Sequence, residues 1–372
     1  MITTASKATP SDIRINNIKS VFNRLFPDVA MSRSQLGKEI GLSRMAISDV
    51  TAEMIEHHII REVGIDNRTG RGKRSMLLTI ETAFWRVISI DISQKFILKG
   101  ALVDLCGRIV ERVEAPIDTE KGISPEDVCA LIHRLMKITH AQILGIGITL
   151  PGIVDDNGEV VRAVHLDWSH VPLQQEIEAK FHLPTQVTNA TRMALVAERF
   201  FGEGSANSLL IRIGQGVGAA LCINDVIVNG QSFIAGEIGH IIVDPNGPLC
   251  ACGRKGCLET FLSAPRILSQ IEQTPQRRTQ ILSESGQILG RVLAISAGLL
   301  DLNDISVYGP PEIVGEAFLG SMREELTTNI ASEYRKIPYL HRCQQGEDLA
   351  LRGQAVHAIQ SFVAFIREST NA

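Results

Sequence analysis

Gly236-Glu237-Ile238-Gly239-His240, followed by Cys250-Ala251-Cys252-Gly253-Arg254-Lys255-Gly256-Cys257-Leu258-Glu259, is the stretch on which the reading of this chain turns. It holds the one cluster among seven cysteines. One imidazole and three thiolates make a closed Cys3His set, the usual structural zinc arrangement, with no position left open for water. The loop inside it, Asp244-Pro245-Asn246-Gly247-Pro248, has too little apolar content to fold alone, and a metal supplies what packing cannot. The expected ligands are His240, Cys250, Cys252 and Cys257. Glu237 and Glu259 bracket the set. A metal bound through one ring nitrogen of His240 leaves the other free to hydrogen-bond. The stretch thus offers two acceptors and a donor to a polyhydroxylated ligand.

Outside the cluster, Cys106, Cys129, Cys222 and Cys343 are scattered. An odd total of this kind points to reduced thiols and a cytoplasmic protein rather than a disulfide framework. The chain of 372 residues has room for two or three domains, and 44% hydrophobic with 21% charged residues is ordinary for a globular protein. Two Trp and three Tyr argue against stacking on single-stranded nucleic acid as the main activity. No apolar run approaches the roughly 20 residues that span a bilayer, and Met1 to Pro10 lacks a signal-peptide core. No membrane partner is expected.

The net charge of −4 is unevenly spread. Arg14 to Arg74 carries eleven Lys/Arg against seven Asp/Glu, a balance of +4 that leaves −8 for the rest. A basic segment on an acidic body is expected when one domain meets DNA. Ile15, Ile18, Val21, Phe22 and Leu25 recur at helical spacing after a loose tail of residues 1–12. Ser32 starts a short helix, Gly41 supplies a turn, and Ser43 caps a longer helix with Ile47, Val50, Met54 and Ile55 on its buried face. That is a helix-turn-helix, its second helix suited to the major groove. Two strands, residues 59–63 and 76–80, then flank a glycine-rich basic tip. The tip reads as a wing whose Arg71, Lys73 and Arg74 meet phosphates or the minor groove. The base-reading candidates are Ser43, Arg44, Ala46, Ser48 and Asp49, with Arg44 suited to guanine and Asp49 to a cytosine amino group. Met45 and Ile47 serve equally well as core and are left out of that set. One helix-turn-helix per chain implies a homodimer or homotetramer on a palindromic double-stranded operator.

G-E-I-G-H followed by C-x-C-G-x-x-G-C-L-E resembles the signature of the ROK family, which groups sugar kinases with sugar-responsive repressors. The resemblance covers almost the whole chain. It implies an α/β fold: an N-terminal winged helix-turn-helix (1–80), then a two-lobed actin-like, ribonuclease H-like domain. Its first lobe is 81–190, with the last helix (355–372) packing back, and its second, zinc-bearing lobe is 191–354. A sugar or sugar-phosphate effector is implied between the lobes. In the family the zinc-binding histidine also contacts sugar, and both glutamates touch its hydroxyls. These are His240, Glu237 and Glu259, joined by Gly152 in a sugar-site loop and by Asn189.

Kinases of the family also carry a D-x-G-G-T phosphate turn, an aspartate base in N-D-A-N and a glycine-bearing adenosine loop. Here stand Asp91-Ile92-Ser93-Gln94-Lys95, Asn189-Ala190 and Gly309-Pro310-Pro311. Ala190 cannot accept a proton, and prolines remove amide donors. The expectation is a sugar-sensing, DNA-binding regulator, a repressor rather than an enzyme. An ATP-dependent sugar kinase is the alternative. Trp168 is read as a sugar-stacking platform or a buried anchor, Gly214-Gln215-Gly216-Val217-Gly218 as a tight hairpin or a phosphate turn. The helix from Ile281 to Leu302 is expected to bury Leu289, Val292, Leu293 and Ile295, and the last helix to run from Ala355 to Glu368.

Overall fold

The computed structural model describes residues 9–65, 75–94, 96–118, 122–330, 332–334, 336–344 and 346–366. They form two compact units, residues 1–188 with 354–372, and residues 189–353.

The first unit opens with three helices, each started by its own side-chain cap. In α1 (Pro10–Leu25) the Thr9 hydroxyl accepts from the Asp12 amide (3.2 Å) and the Asp12 carboxylate accepts from the Thr9 amide (2.8 Å). This capping box and Pro10 at the first position start the helix inside the stretch read as a tail. β1 (Met31–Ser32) leads into α2 (Arg33–Ile40), capped by Ser32 and closed by Gly41 at φ 73°. α3 (Arg44–Glu56) is capped by Ser43. β2 (Ile60–Ile65) and β3 (Met76–Ile80) pair antiparallel, and β1 lies on the far side of β3. Ile18, Phe22, Leu25, Leu36, Ile47, Val50, Met54, Ile60 and Leu78 fill the core of this winged arrangement. Burying each such side chain is worth about 1.5–3 kcal/mol relative to exposure. Arg14 pairs with Glu53, and Arg33 bonds Thr51 Oγ1 (3.0 Å) and pairs with Glu62 (3.0 Å), fastening α3 from two sides. Ile55, expected on the buried face, is half-buried. The tip with Arg71, Lys73 and Arg74 lies outside the described residues.

The rest of this unit is built on β4 (Trp85–Gln94), β5 (Ile97–Val103), β6 (Ile109–Pro116), β7 (Gln142–Leu150) and β11 (Thr185–Asn189), in the order β11-β7-β4-β5-β6. β4 runs antiparallel to β5 and parallel to β7, so it sits at the centre. Its run Val87 to Ile92 is buried throughout, as a strand covered on both faces requires. α4 (Pro125–Lys137) packs Leu131, Ile132 and Leu135 against it. Between β7 and β11 come β8 (Ile153–Val154), β9 (Val160–Ala163), β10 (Trp168–Val171) and α5 (Leu173–Phe181).

The second unit opens with α6 (Ala190–Phe201). Its sheet comprises β12 (Ser208–Ile213), β13 (Val217–Ile223), β14 (Val226–Ile227), β15 (Asp304–Tyr308) and β16 (Tyr339–Arg342), in the order β14-β13-β12-β15-β16. Counted within each unit, both sheets read 3-2-1-4-5, three antiparallel strands followed by crossovers, which is the repeated sheet of the actin-like fold. α7 (Glu259–Leu262), α8 (Ala264–Gln273), α9 (Arg278–Leu300) and α10 (Glu316–Ile330) complete the unit, and α11 (Leu349–Phe362) crosses its boundary in sequence.

Two helical expectations need correction. Ile295 on α9 is 78% exposed, because it stands two residues, about 200°, round the helix from buried Leu293; Val292 is half-buried. The last helix begins at Leu349 and gives way to a single 3-10 turn, Val363–Phe365. All four scattered cysteines are buried.

One polar cluster interrupts the second core. His341 Nδ1 lies 3.7 Å from Glu198 and Nε2 3.9 Å from Asp304, all three buried. Burial lowers the His341 pKa, but the two carboxylates outweigh it and leave the imidazole above its ordinary value.

Candidate functional site

The stretch between β14 and α7 is folded back on itself by a few backbone bonds. Val243 donates to Gly256 (2.9 Å), Leu258 to Ile241 (2.8 Å), Gly256 to Pro248 (2.8 Å) and Cys250 to Arg254 (2.8 Å). His240 ends the 3-10 turn Ile238–His240, Cys250 and Cys252 share a tight turn closed by the Gly253 amide (2.9 Å), and Cys257 returns beside them just before α7. The four ligand atoms all lie within 4.8 Å of one another. Cys250 Sγ is 3.7 Å from His240 Nδ1, and Cys252 Sγ 3.6 Å from Cys257 Sγ. A tetrahedron around an ion with Zn–S bonds of about 2.3 Å has edges of about 3.8 Å. The donor set therefore fits a tetrahedral metal ion, with His240 Nδ1 beside Cys250 Sγ.

The thiols are prepared unequally. Burial pushes Cys250 up to about 12 and raises Cys257 as well. Exposed Cys252 is held down at about 6 by the Arg254 amide and side chain. One thiolate is available beforehand, and a cation must offset the cost of ionising the other two.

Glu259, first residue of α7, closes over this set. Its Oε1 accepts from the Cys250 thiol (2.9 Å) and lies 3.6 Å from His240 Nδ1. Its Oε2 faces the turn between β12 and β13. A Cβ on Gly216 would fall 2.8 Å from that oxygen, and one on Gly239 3.4 Å. Gly216, in the tight hairpin that joins β12 to β13 as expected, and Gly239 also clear space for a carboxylate. Glu237 reaches solvent, yet desolvation raises its pKa; His240 and Arg192 lower it and Glu259 raises it. Buried Arg192 donates from α6 to the carbonyls of Phe233 (2.7 Å) and Asn229 (3.3 Å), which anchors the loop ahead of Glu237. Arg192 was missed; its signal was an arginine in the first turn of a helix, directly ahead of the apolar run Met193 to Ala197.

The other expected ligand contacts have local duties. Asn189 caps α6, its Oδ1 accepting from the amides of Thr191 (2.9 Å) and Arg192 (3.2 Å). Ala190, the next residue, is buried. Gly152, in the first unit between β7 and β8, adopts φ 155° where a Cβ would fall 2.6 Å from the Arg162 carbonyl. Trp168 is a buried anchor, its Nε1 donating to Ile123 (3.1 Å). Asp91 turns its carboxylate onto the Ser93 amide (2.8 Å) and hydroxyl, while β4 runs on to Gln94. The Pro310 carbonyl accepts from the amides of Ile313 (3.0 Å) and Val314 (2.9 Å), closing a turn.

On α3 the Ser43 hydroxyl accepts from the Ala46 amide (3.2 Å), so Ser43 sets the start of the helix. Arg44, Ser48 and Asp49 stand exposed on one side and Ala46 is half-buried. Ile47 is core. Met45, passed over with it, is 75% exposed beside Arg44.

Comparison with known proteins gives this geometry its context. Residues 87–361 match the model of the ROK family. The xylose repressor of Caldicellulosiruptor bescii is 28% identical over 342 residues, 82% of this chain and 85% of that protein. A relative from Caldicellulosiruptor sp. (strain Rt8B.4) is 32% identical over 250 residues, 65% of this chain and 62% of its own length. A solved ROK family transcriptional regulator, a homologue of the E. coli MLC protein, shares the fold with a TM-score of 0.80 at 24% identity, over 95% of this chain and 98% of that one.

Proposed function

This chain belongs to the ROK family, and we propose that it is a sugar-responsive, DNA-binding transcriptional repressor of the cytoplasm, without kinase activity. The observation that carries the reading is the pairing, in one chain, of the exposed face of α3 with a Cys3His set over which Glu259 closes. Likeness to a xylose repressor supports it.

Zinc is the ion that suits three thiolates and an imidazole in a closed tetrahedron. Held by His240, Cys250, Cys252 and Cys257, it supplies a fixed scaffold charge. His240 Nε2 then donates to a sugar hydroxyl, and Glu237 and Glu259 accept from others. Gly152 and Asn189 complete the set, Asn189 chiefly by starting α6 and so placing Arg192. A sugar or sugar phosphate is the effector. On the DNA side, Arg44, Ser48 and Asp49 read base edges, Ser43 and Ala46 set the helix against the groove, and Arg71, Lys73 and Arg74 meet the backbone. A homodimer or larger assembly places two such helices on a palindrome.

The chemistry of the chain speaks against the kinase alternative. Phosphoryl transfer needs a base or orienting carboxylate and donors on the phosphates. Ala190 offers a methyl group, and β4 continues where a glycine turn would cradle phosphate.

The test uses the full-length, zinc-loaded protein. Selection from a random duplex library should enrich a palindrome. A thermal-shift panel of pentoses, hexoses, amino sugars and their phosphates should then find one compound that raises the melting temperature and weakens DNA binding. Failure to enrich any duplex overturns the reading.

A further inference from the structure

The α3 surface presents one group that no hydrogen-bond scheme uses. Ser43 caps the helix, so Arg44, Met45 and Ala46 form its first turn, and Ser48 and Asp49 stand one turn beyond Met45 on the same side. Ile47, Val50, Thr51 and Met54 turn the other way into the core. Met45 is 75% exposed, against 52% for Ile13 and 46% for Ile65, the next most exposed large apolar side chains among the described residues 9–80. The helix has no packing use for it.

In helix-turn-helix proteins the N-terminal residues of this helix meet the base edges. Every base pair offers donors and acceptors in the major groove, and these suit Arg44, Ser48 and Asp49. The one apolar group displayed there is the C5 methyl of thymine. A long, unbranched thioether can follow that methyl without a fixed rotamer. We infer that Met45 is a specificity-determining residue that reads a thymine methyl in each half-site. The inference rests on the regulator reading above, and deepens it by naming the base.

The experiment starts from the duplexes enriched by the full-length protein. Each thymidine of the best duplex is replaced in turn by deoxyuridine, which removes the methyl and nothing else. Wild type should lose about fourfold in affinity at one position per half-site, the worth of burying one methyl-sized group. Met45→Ala should bind the two duplexes equally at that position, and Met45→Leu should keep the preference. An unchanged melting temperature for Met45→Ala is expected from its exposure and separates a binding effect from misfolding. If no duplex is enriched, the regulator reading falls and takes this assignment with it. If a duplex is enriched but the deoxyuridine scan is flat, or Met45→Ala retains the same preference as wild type, only the Met45 assignment is overturned.

Discussion

The two sheets share one strand order but part company at the turn between their first two strands. In the first unit β4 runs on to Gln94, and Asp91 spends its carboxylate on Ser93. In the second, β12 ends at Ile213, and the turn into β13 carries Gly216, where the room left by the missing side chain is occupied by Glu259. Strand order follows from where apolar runs fall and tolerates either turn. Gly216 stands where a Cβ would fall 2.8 Å from a carboxylate oxygen brought from elsewhere in the chain. Glycine in a turn is thus evidence of a close neighbour as much as of phosphate.

The largest effect should come from the metal. On the proposed reading, chelation or Cys257→Ser takes away the metal that ties residues 236–262 together, so hydrogen-exchange protection there should collapse and the sugar response vanish. Protection in β4, β5 and β7 should persist; its equal loss would erase the contrast. Next comes Gly216→Val, which drives a side chain into Glu259 and should cost about 1–3 kcal/mol by overpacking. Sugar affinity should fall with it, read by calorimetry. Ser93→Gly, at the first turn, should leave sugar affinity alone.

A subtler distinction is acid–base. His341 binds its proton more tightly when folded than when unfolded. Its contribution is therefore complete below the ordinary value of 6.5 and is lost as pH rises through the higher folded value. Denaturant titrations of the full chain from pH 6 upward should show this decline, and Asp304→Asn should flatten it. A decline of unaltered slope in Asp304→Asn would remove the cluster from the account. The smallest effect is expected from Ala190→Asp. It restores a carboxylate but no phosphate turn, so coupled ADP release with ATP, magnesium and the sugar panel should stay at background. Turnover would mean that β4 can cradle a nucleotide without glycines.

The His/Cys cluster was legible because its four residues fall within eighteen residues at a spacing few other uses require. The helix-turn-helix was legible because Ser32, Gly41 and Ser43 are local signals. What stayed hidden depends on partners distant in sequence. Trp168 finds the carbonyl of Ile123, and His341 finds Glu198 and Asp304. No pattern in one segment announces these meetings. Asn189 was expected as a sugar contact from its place in the family motif, and its cap on α6 was not, since ligand contacts and caps favour the same side chains. Met45 and Ile47 looked alike because both are apolar; only their angle round α3 separates them.

The caps of the first three helices bear on the order in which the chain acquires its shape. Thr9, Ser32 and Ser43 each start a helix by bonding an amide three residues ahead, and Arg14–Glu53 and Arg33–Glu62 join segments fewer than forty residues apart. Contacts so near in sequence close quickly, and a segment that leaves a ribosome ahead of another is free to fold before it. The sheet of the second unit must wait for β15 and β16, about a hundred residues and more after β12. The three-helix head is therefore expected to form long before the sheet of the second unit. The bond from Gln360 to Asn23, 3.3 Å and spanning nearly the whole chain, is among the last to close.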